Sequence, residues 1–76
     1  MSRTAAAIEL SEEEQSVLGG WARGRSLPMR LVQRARIVSL AAAGVPSQDI
    51  ARRLRVSRPS VQLWRERFLA LRLAGL

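Results

Sequence analysis

The stretch DIARRLRVSRPSVQLWRERF, residues 49–68, decides the fold of this 76-residue chain. It contains six arginines and two carboxylates, and apolar residues interrupt them at helical spacing. A turn over residues 55–57 would divide the stretch into two helices. On the second helix, apolar residues at positions i, i+3, i+7 and i+10 predict one buried stripe. The residues of this stripe are Val61, Trp64, Phe68 and Leu71.

The turn is typical of a helix-turn-helix, in which two short helices cross at about 90–120° around a turn of three or four residues. Ala51 is small enough to let the helices approach, and Val56 would fill the turn. Ser57 is suited to cap the second helix. Pro59 fits the first turn of that helix, where no N–H is needed. The second helix is therefore predicted to enter the major groove of DNA.

The outward face of the second helix carries the residues predicted to read bases. Arg58 can form a bidentate pair with guanine, Gln62 can do so with adenine, and Leu63 can touch a thymine methyl group. Pro59 lies beside them at the start of the helix. A larger polar set is predicted to contact phosphates. Its members are Arg30, Arg34, Arg52, Arg53, Arg55, Ser57, Ser60, Arg65 and Arg67.

The charge of the chain indicates a polyanionic partner. Thirteen basic residues, all of them arginine, stand against six carboxylates and give a net charge of +7. Residues 15–76 alone carry +10, because twelve arginines there face two carboxylates. Double-stranded DNA is the simplest partner for so basic a domain.

The composition argues against catalysis. The sequence has no histidine and no cysteine, so the usual general base and the usual zinc ligands are missing. Four of the six carboxylates lie within residues 9–14, where they suit the start of a helix. We therefore expect no catalytic residue, metal site, cofactor or small-molecule ligand. No apolar run reaches the roughly 18 residues of a membrane span. No signal-peptide block is evident either, so the expected location is cytoplasmic, at the nucleoid.

The remaining sequence predicts a flexible arm over residues 1–10 and a DNA-binding domain over residues 11–76. Ser11 and Glu14 form a capping box for a first helix. That helix is expected to end within residues 18–21, where two glycines weaken it.

A second helix is predicted from Pro28 to about Ala43. It has two apolar faces, which predict a central position in the bundle. Ser47 is predicted to cap a third helix, Gln48–Arg55. With the fourth helix, which extends to about Leu71, the chain is predicted to be all-α, a small bundle of about four helices.

From about Ile8 to Leu76, the chain resembles the N-terminal DNA-binding region of bacterial insertion-sequence transposases of the mariner-like superfamily. The pieces that carry the resemblance are, in order, LSEEE, RARIVSLAAAGVPSQDIARRL, VSRPSVQLWRERF and LAGL. The resemblance implies a homeodomain-like or paired-like helix-turn-helix that binds the terminal inverted repeats of the element. It also implies that metal-dependent strand cleavage belongs to a separate, acidic domain.

Two arginines depart from the pattern of that family. Arg55 stands where the family usually has a turn glycine, because the position favours a left-handed backbone. Arg72 stands where the family tends to have a helix-ending glycine. The fourth helix is therefore expected to run on toward Gly75 and to bury Leu71 and Leu73 against a partner.

Other functions also fit the sequence. A free-standing transcriptional regulator would use the same fold on a promoter, with a homodimer to lengthen its site. A helical protein-interaction module would show a concentration-dependent mass and no salt-sensitive affinity for DNA. A plain helical bundle with a solvated basic face would read no sequence. The leucines available to the interaction module are Leu63, Leu69, Leu73 and Leu76.

Overall fold

The computed structural model describes residues 7–24 and 26–76, and this part of the chain forms four α-helices, one 3₁₀ turn and no strand. The predicted all-α bundle is therefore confirmed. No helix in the described ranges is long and apolar enough to cross a membrane. Residues 1–6 of the expected arm lie outside the described residues, as does Arg25. The elements are α1 Glu12–Arg23, α2 Met29–Ala42, α3 Ser47–Leu54, α4 Arg58–Leu71 and the 3₁₀ turn Arg72–Gly75.

Helix α1 begins at the predicted capping box. The backbone N–H of Glu14 donates to Ser11 Oγ over 3.1 Å, and the N–H of Ser11 donates to Glu14 Oε1 over 3.0 Å. These two bonds satisfy donors that would otherwise have no partner at the helix start.

Helix α1 also extends further than the sequence predicted. It passes through the two glycines, continues to Arg23 and ends at Gly24, whose φ of 77° is left-handed. Leu18 is fully buried, and Trp21 packs against the core. Each glycine costs a helix about 1 kcal/mol relative to alanine, and packing against α2 offsets that cost.

Helix α2 is central, as its two apolar faces predicted, because it packs against α1, α3 and α4. Gly44, with a φ of 92°, follows its end. The buried residues of α2 are Val32, Ala35, Ile37, Val38 and Ala41.

Helix α3 corrects the predicted role of Ser47. The helix starts at Ser47, and Pro46 is its N-cap. The Pro46 carbonyl accepts hydrogen bonds from the N–H groups of Asp49 and Ile50, each over 3.0 Å. Ser47 therefore lies inside the first turn, where it does not cap the helix, and its buried Oγ has no hydrogen-bond partner in the described part of the chain.

The end of the expected arm is packed against the bundle. Ile8 is 4% exposed and belongs to the core, and Leu10 packs against the same cluster. The sequence did not predict this burial, because residues 1–10 were expected to form a flexible arm.

The C-terminal end of α4 also differs from expectation. Arg72 takes a φ of 56° and ends the helix at Leu71, so α4 does not run on toward Gly75. Leu71 is 53% exposed, so the prediction that it belongs to the buried stripe of α4 is wrong. Leu73 instead packs against the core of its own chain, because the 3₁₀ turn folds back under the bundle.

Candidate nucleic-acid interface

A tight turn joins α3 to α4 and sets the direction of α4. Arg55 has φ 58° and ψ 47°, which is the left-handed conformation expected of a glycine position. The Val56 N–H donates to the Ala51 carbonyl over 3.0 Å. Ser57 then caps α4 as predicted, since its Oγ accepts from the Ser60 N–H over 3.2 Å. These backbone bonds fix where α4 starts.

We expect Arg55→Gly to be more stable than Arg55→Ala by about 0.5–1 kcal/mol. An L-residue costs roughly 1–2 kcal/mol in the left-handed region. Glycine avoids this cost but loses about 0.5–1 kcal/mol more chain entropy on folding. Both variants remove the same charge, so urea unfolding midpoints isolate the backbone effect. If Arg55→Ala were as stable as Arg55→Gly, the left-handed assignment would be wrong.

The inner face of α4 is anchored in the core. Val61 and Phe68 are fully buried, and Trp64 is half-buried. Arg65 is also buried, at 5% exposure, which the sequence did not predict. An α-helix held on one face in this way presents its opposite face in a fixed orientation.

The outer face of α4 carries all four residues predicted to read bases. Arg58, Pro59, Gln62 and Leu63 are all exposed. Leu63, at 47%, is among the most exposed large apolar side chains. The structure therefore brings these side chains together on one accessible surface near the helix start.

Two hydrogen bonds between side chains order this outer face. Ser57 Oγ donates to Ser60 Oγ over 2.9 Å. Gln62 Nε2 donates to Glu66 Oε2, one helical turn further on, also over 2.9 Å. Both pairs are exposed, so a bound polyanion can reach their remaining donors and acceptors.

An open cleft of about 830 Å³ runs beside the start of α4. Arg58, Gln62 and Arg65 line its α4 side, and Ser47 and Gln48 line it at the start of α3. Ile8 borders it from the N-terminal segment. The cleft therefore joins two of the predicted base readers, Arg58 and Gln62, to the first turn of α3.

The arginines predicted to contact phosphate fall into two groups. The first is exposed and lies on α2, α3 and the turn, and among the described residues Arg52 forms a long 3.9 Å ion pair with Asp49. At 77% and 40% side-chain exposure, that pair holds Arg52 weakly. The exposed arginines of this group are Arg30, Arg52, Arg53 and Arg55.

The second group makes contacts within the protein. The Arg34 guanidinium lies 3.9 Å from the centroid of the Trp64 ring, and Arg67 lies 5.6 Å from it. Arg34 also donates to the main-chain oxygen of Leu76 over 3.1 Å, and Arg67 donates to that of Gly75 over 2.9 Å. Arg34 and Arg67 thus hold the C-terminal turn against the bundle, and Arg65 is buried.

An ion pair between the two ends of the domain was not predicted. Arg72 donates to both carboxylate oxygens of Glu14, over 2.9 and 2.6 Å, and to the Glu9 carbonyl over 2.6 Å. Its guanidinium lies 4.5 Å from the centroid of the Phe68 ring. Glu14 and Arg72 are 58 residues apart, so no local pattern could have revealed the pair.

The pair perturbs both ionisation equilibria. Hydrogen bonds from Arg72 and from the Ser11 backbone lower the pKa of Glu14 from 4.5 to about 2. The hydrogen bond with Glu14 in turn raises the pKa of Arg72. Each charge therefore stabilises the other in the folded protein.

We expect part of the stability to be lost in acid because of Glu14. Its pKa is lowered on folding, so its contribution is complete above pH 4.5 and is lost as the pH falls toward about 2. Melting temperatures across that range should fall less steeply for Glu14→Gln than for the parent chain. Glu13→Gln, in the same helical turn, is the control and should follow the parent. Parallel curves for Glu14→Gln and the parent would contradict the assignment.

Only some of the four leucines expected at a protein interface are exposed in the described part of the chain. Leu63 and Leu69 are exposed, but Leu73 and Leu76 pack against the core of their own chain. Two of the four leucines expected to contact a protein partner are thus already used within the domain.

A short helix, a tight turn and a second helix with an exposed N-terminal half define a helix-turn-helix DNA-binding domain. The chain belongs to the homeodomain-like family, since the family model described as "Homeodomain-like domain" matches residues 28–76. That match covers α2, α3, α4 and the C-terminal turn. No significant match was found to a curated protein or to a solved structure.

Proposed function

We propose that this domain reads a specific sequence in duplex DNA and does so as the targeting module of a transposase, at the terminal inverted repeats of its element. The observation that carries sequence reading is the exposed start of α4. Arg58 and Gln62 project from it, while Val61 and Phe68 hold the helix from behind. Both readers have side chains that pair with base edges in the major groove.

Charge supports the same proposal. The exposed arginines of α3 and the turn flank α4, and such residues bind phosphates without reading sequence. They would hold the domain on the duplex while α4 supplies the selectivity. The transposase assignment is supported by the collinear resemblance over residues 8–76. The fold implies DNA binding, and the resemblance implies that the DNA bound is a terminal inverted repeat. The proposed role is binding, and strand cleavage would belong to a different domain.

The test is selection from a pool of random duplexes, at two salt concentrations, with sequencing of the retained DNA. We expect a defined motif, and affinity that falls as salt rises. Paired inverted copies of the motif at the ends of an element support the transposase assignment. Motif copies in promoters favour a transcriptional regulator instead. Retention without any motif would contradict sequence reading, and no retention at low salt would contradict DNA binding.

A further inference from the structure

Glu66 is an outward-facing residue of α4 to which the proposed function gives no role. It is exposed one helical turn beyond Gln62, and it is the only carboxylate after Asp49 in the sequence. A negative charge on the helix that faces DNA costs affinity, because it repels phosphate. Its hydrogen bond with Gln62 points to a role in orienting the Gln62 side chain.

The hydrogen bond determines which way the Gln62 amide points. Glu66 Oε2 accepts this bond from Gln62 Nε2, so the amide nitrogen of Gln62 faces Glu66. The amide oxygen is thereby turned away, and the second amide hydrogen stays available. In the free protein this exposed bond is weak, but expulsion of water by a groove would strengthen it.

We infer that Glu66 is a positioning residue that orients the Gln62 amide to select adenine over guanine; this inference rests on the proposed function. Adenine presents a donor, N6, beside the acceptor N7, and guanine presents two acceptors. The outward oxygen of Gln62 accepts from adenine N6, and its free amide hydrogen suits N7. Opposite guanine, the same oxygen meets the O6 acceptor and the contact is repulsive.

The test is a double-mutant cycle of Glu66→Ala and Gln62→Ala on the selected duplex and its single-base variants. Both side chains are exposed, so each variant should melt like the parent. For Glu66→Ala we expect the adenine-to-guanine preference at one position to fall about tenfold. Affinity for all duplexes should rise at the same time, because a negative charge is removed. A folding defect would instead lower both the base preference and the affinity.

The cycle separates an indirect role from a direct one. If Glu66 acts through Gln62, Gln62→Ala changes the same position, and adding Glu66→Ala then causes no further change there. A further change in the Gln62→Ala background would mean that Glu66 contacts a base itself and would overturn the inference. So would an unaltered preference in Glu66→Ala. A parent chain that returns no motif overturns the proposed function, and this inference with it.

Discussion

Replacing Phe68 with alanine is expected to cost about 3–5 kcal/mol of unfolding free energy, the largest loss of any substitution considered. The Phe68 ring is fully buried on α4, and Arg72 stacks on it from the C-terminal turn. Its removal leaves a cavity and also loosens the segment that pairs with Glu14. A domain of this size has modest stability, so a large fraction of the variant should be unfolded.

Urea unfolding followed by circular dichroism measures this effect. Leu63→Ala is the matched control, since it truncates an exposed side chain of the same helix and should stay within about 0.5 kcal/mol of the parent. Trp64→Ala should fall between the two because Trp64 is half-buried. A Phe68→Ala midpoint equal to that of Leu63→Ala would show that Phe68 is not a core residue.

Replacing Arg58 with alanine is expected to weaken binding to the selected duplex roughly 10- to 100-fold, with a smaller loss on unrelated duplexes. Arg58 is exposed at the start of α4 and lines the cleft beside Gln62. A bidentate pair with guanine is made only at the correct base, so its loss reduces the preference between sequences as well as the affinity.

Arg53→Ala is the comparison that makes the test specific. It removes the same charge from the exposed surface of α3. As a phosphate contact, Arg53 should contribute equally on every duplex, and its loss should reduce the salt slope by about one unit. Dissociation constants on the selected site and on single-base variants, at several salt concentrations, distinguish the two roles. Equal effects of the two substitutions on all duplexes would refute the assignment of Arg58 to base reading.

Much of the fold follows from local patterns in the sequence. The capping box of Ser11, the cap at Ser57 and the spacing of Val61 and Phe68 each predicted what the structure contains. These signals act over one or two helical turns, so neighbouring residues contain all the information. The predicted base readers are exposed because the apolar stripe of a helix, which is a local pattern, also identifies the opposite, solvent-facing side.

Other features needed the whole chain. The glycines within α1 do not end it, because packing against α2 outweighs their helix propensity. Ser47 fails as a cap because Pro46 places the helix start one residue earlier. Periodicity alone could not tell that Arg65 is buried and that Leu71 is exposed.

By itself, the sequence determined that the chain is a basic helical domain with a helix-turn-helix, since composition, helix caps and apolar spacing are local properties. Only the tertiary structure decided which arginines face outward. Arg34 lies over the Trp64 ring, Arg67 donates to the Gly75 carbonyl, and Arg72 pairs with Glu14 across the domain. A guanidinium has the same charge in every setting, and its role depends on which ring, carboxylate or carbonyl the fold brings to it.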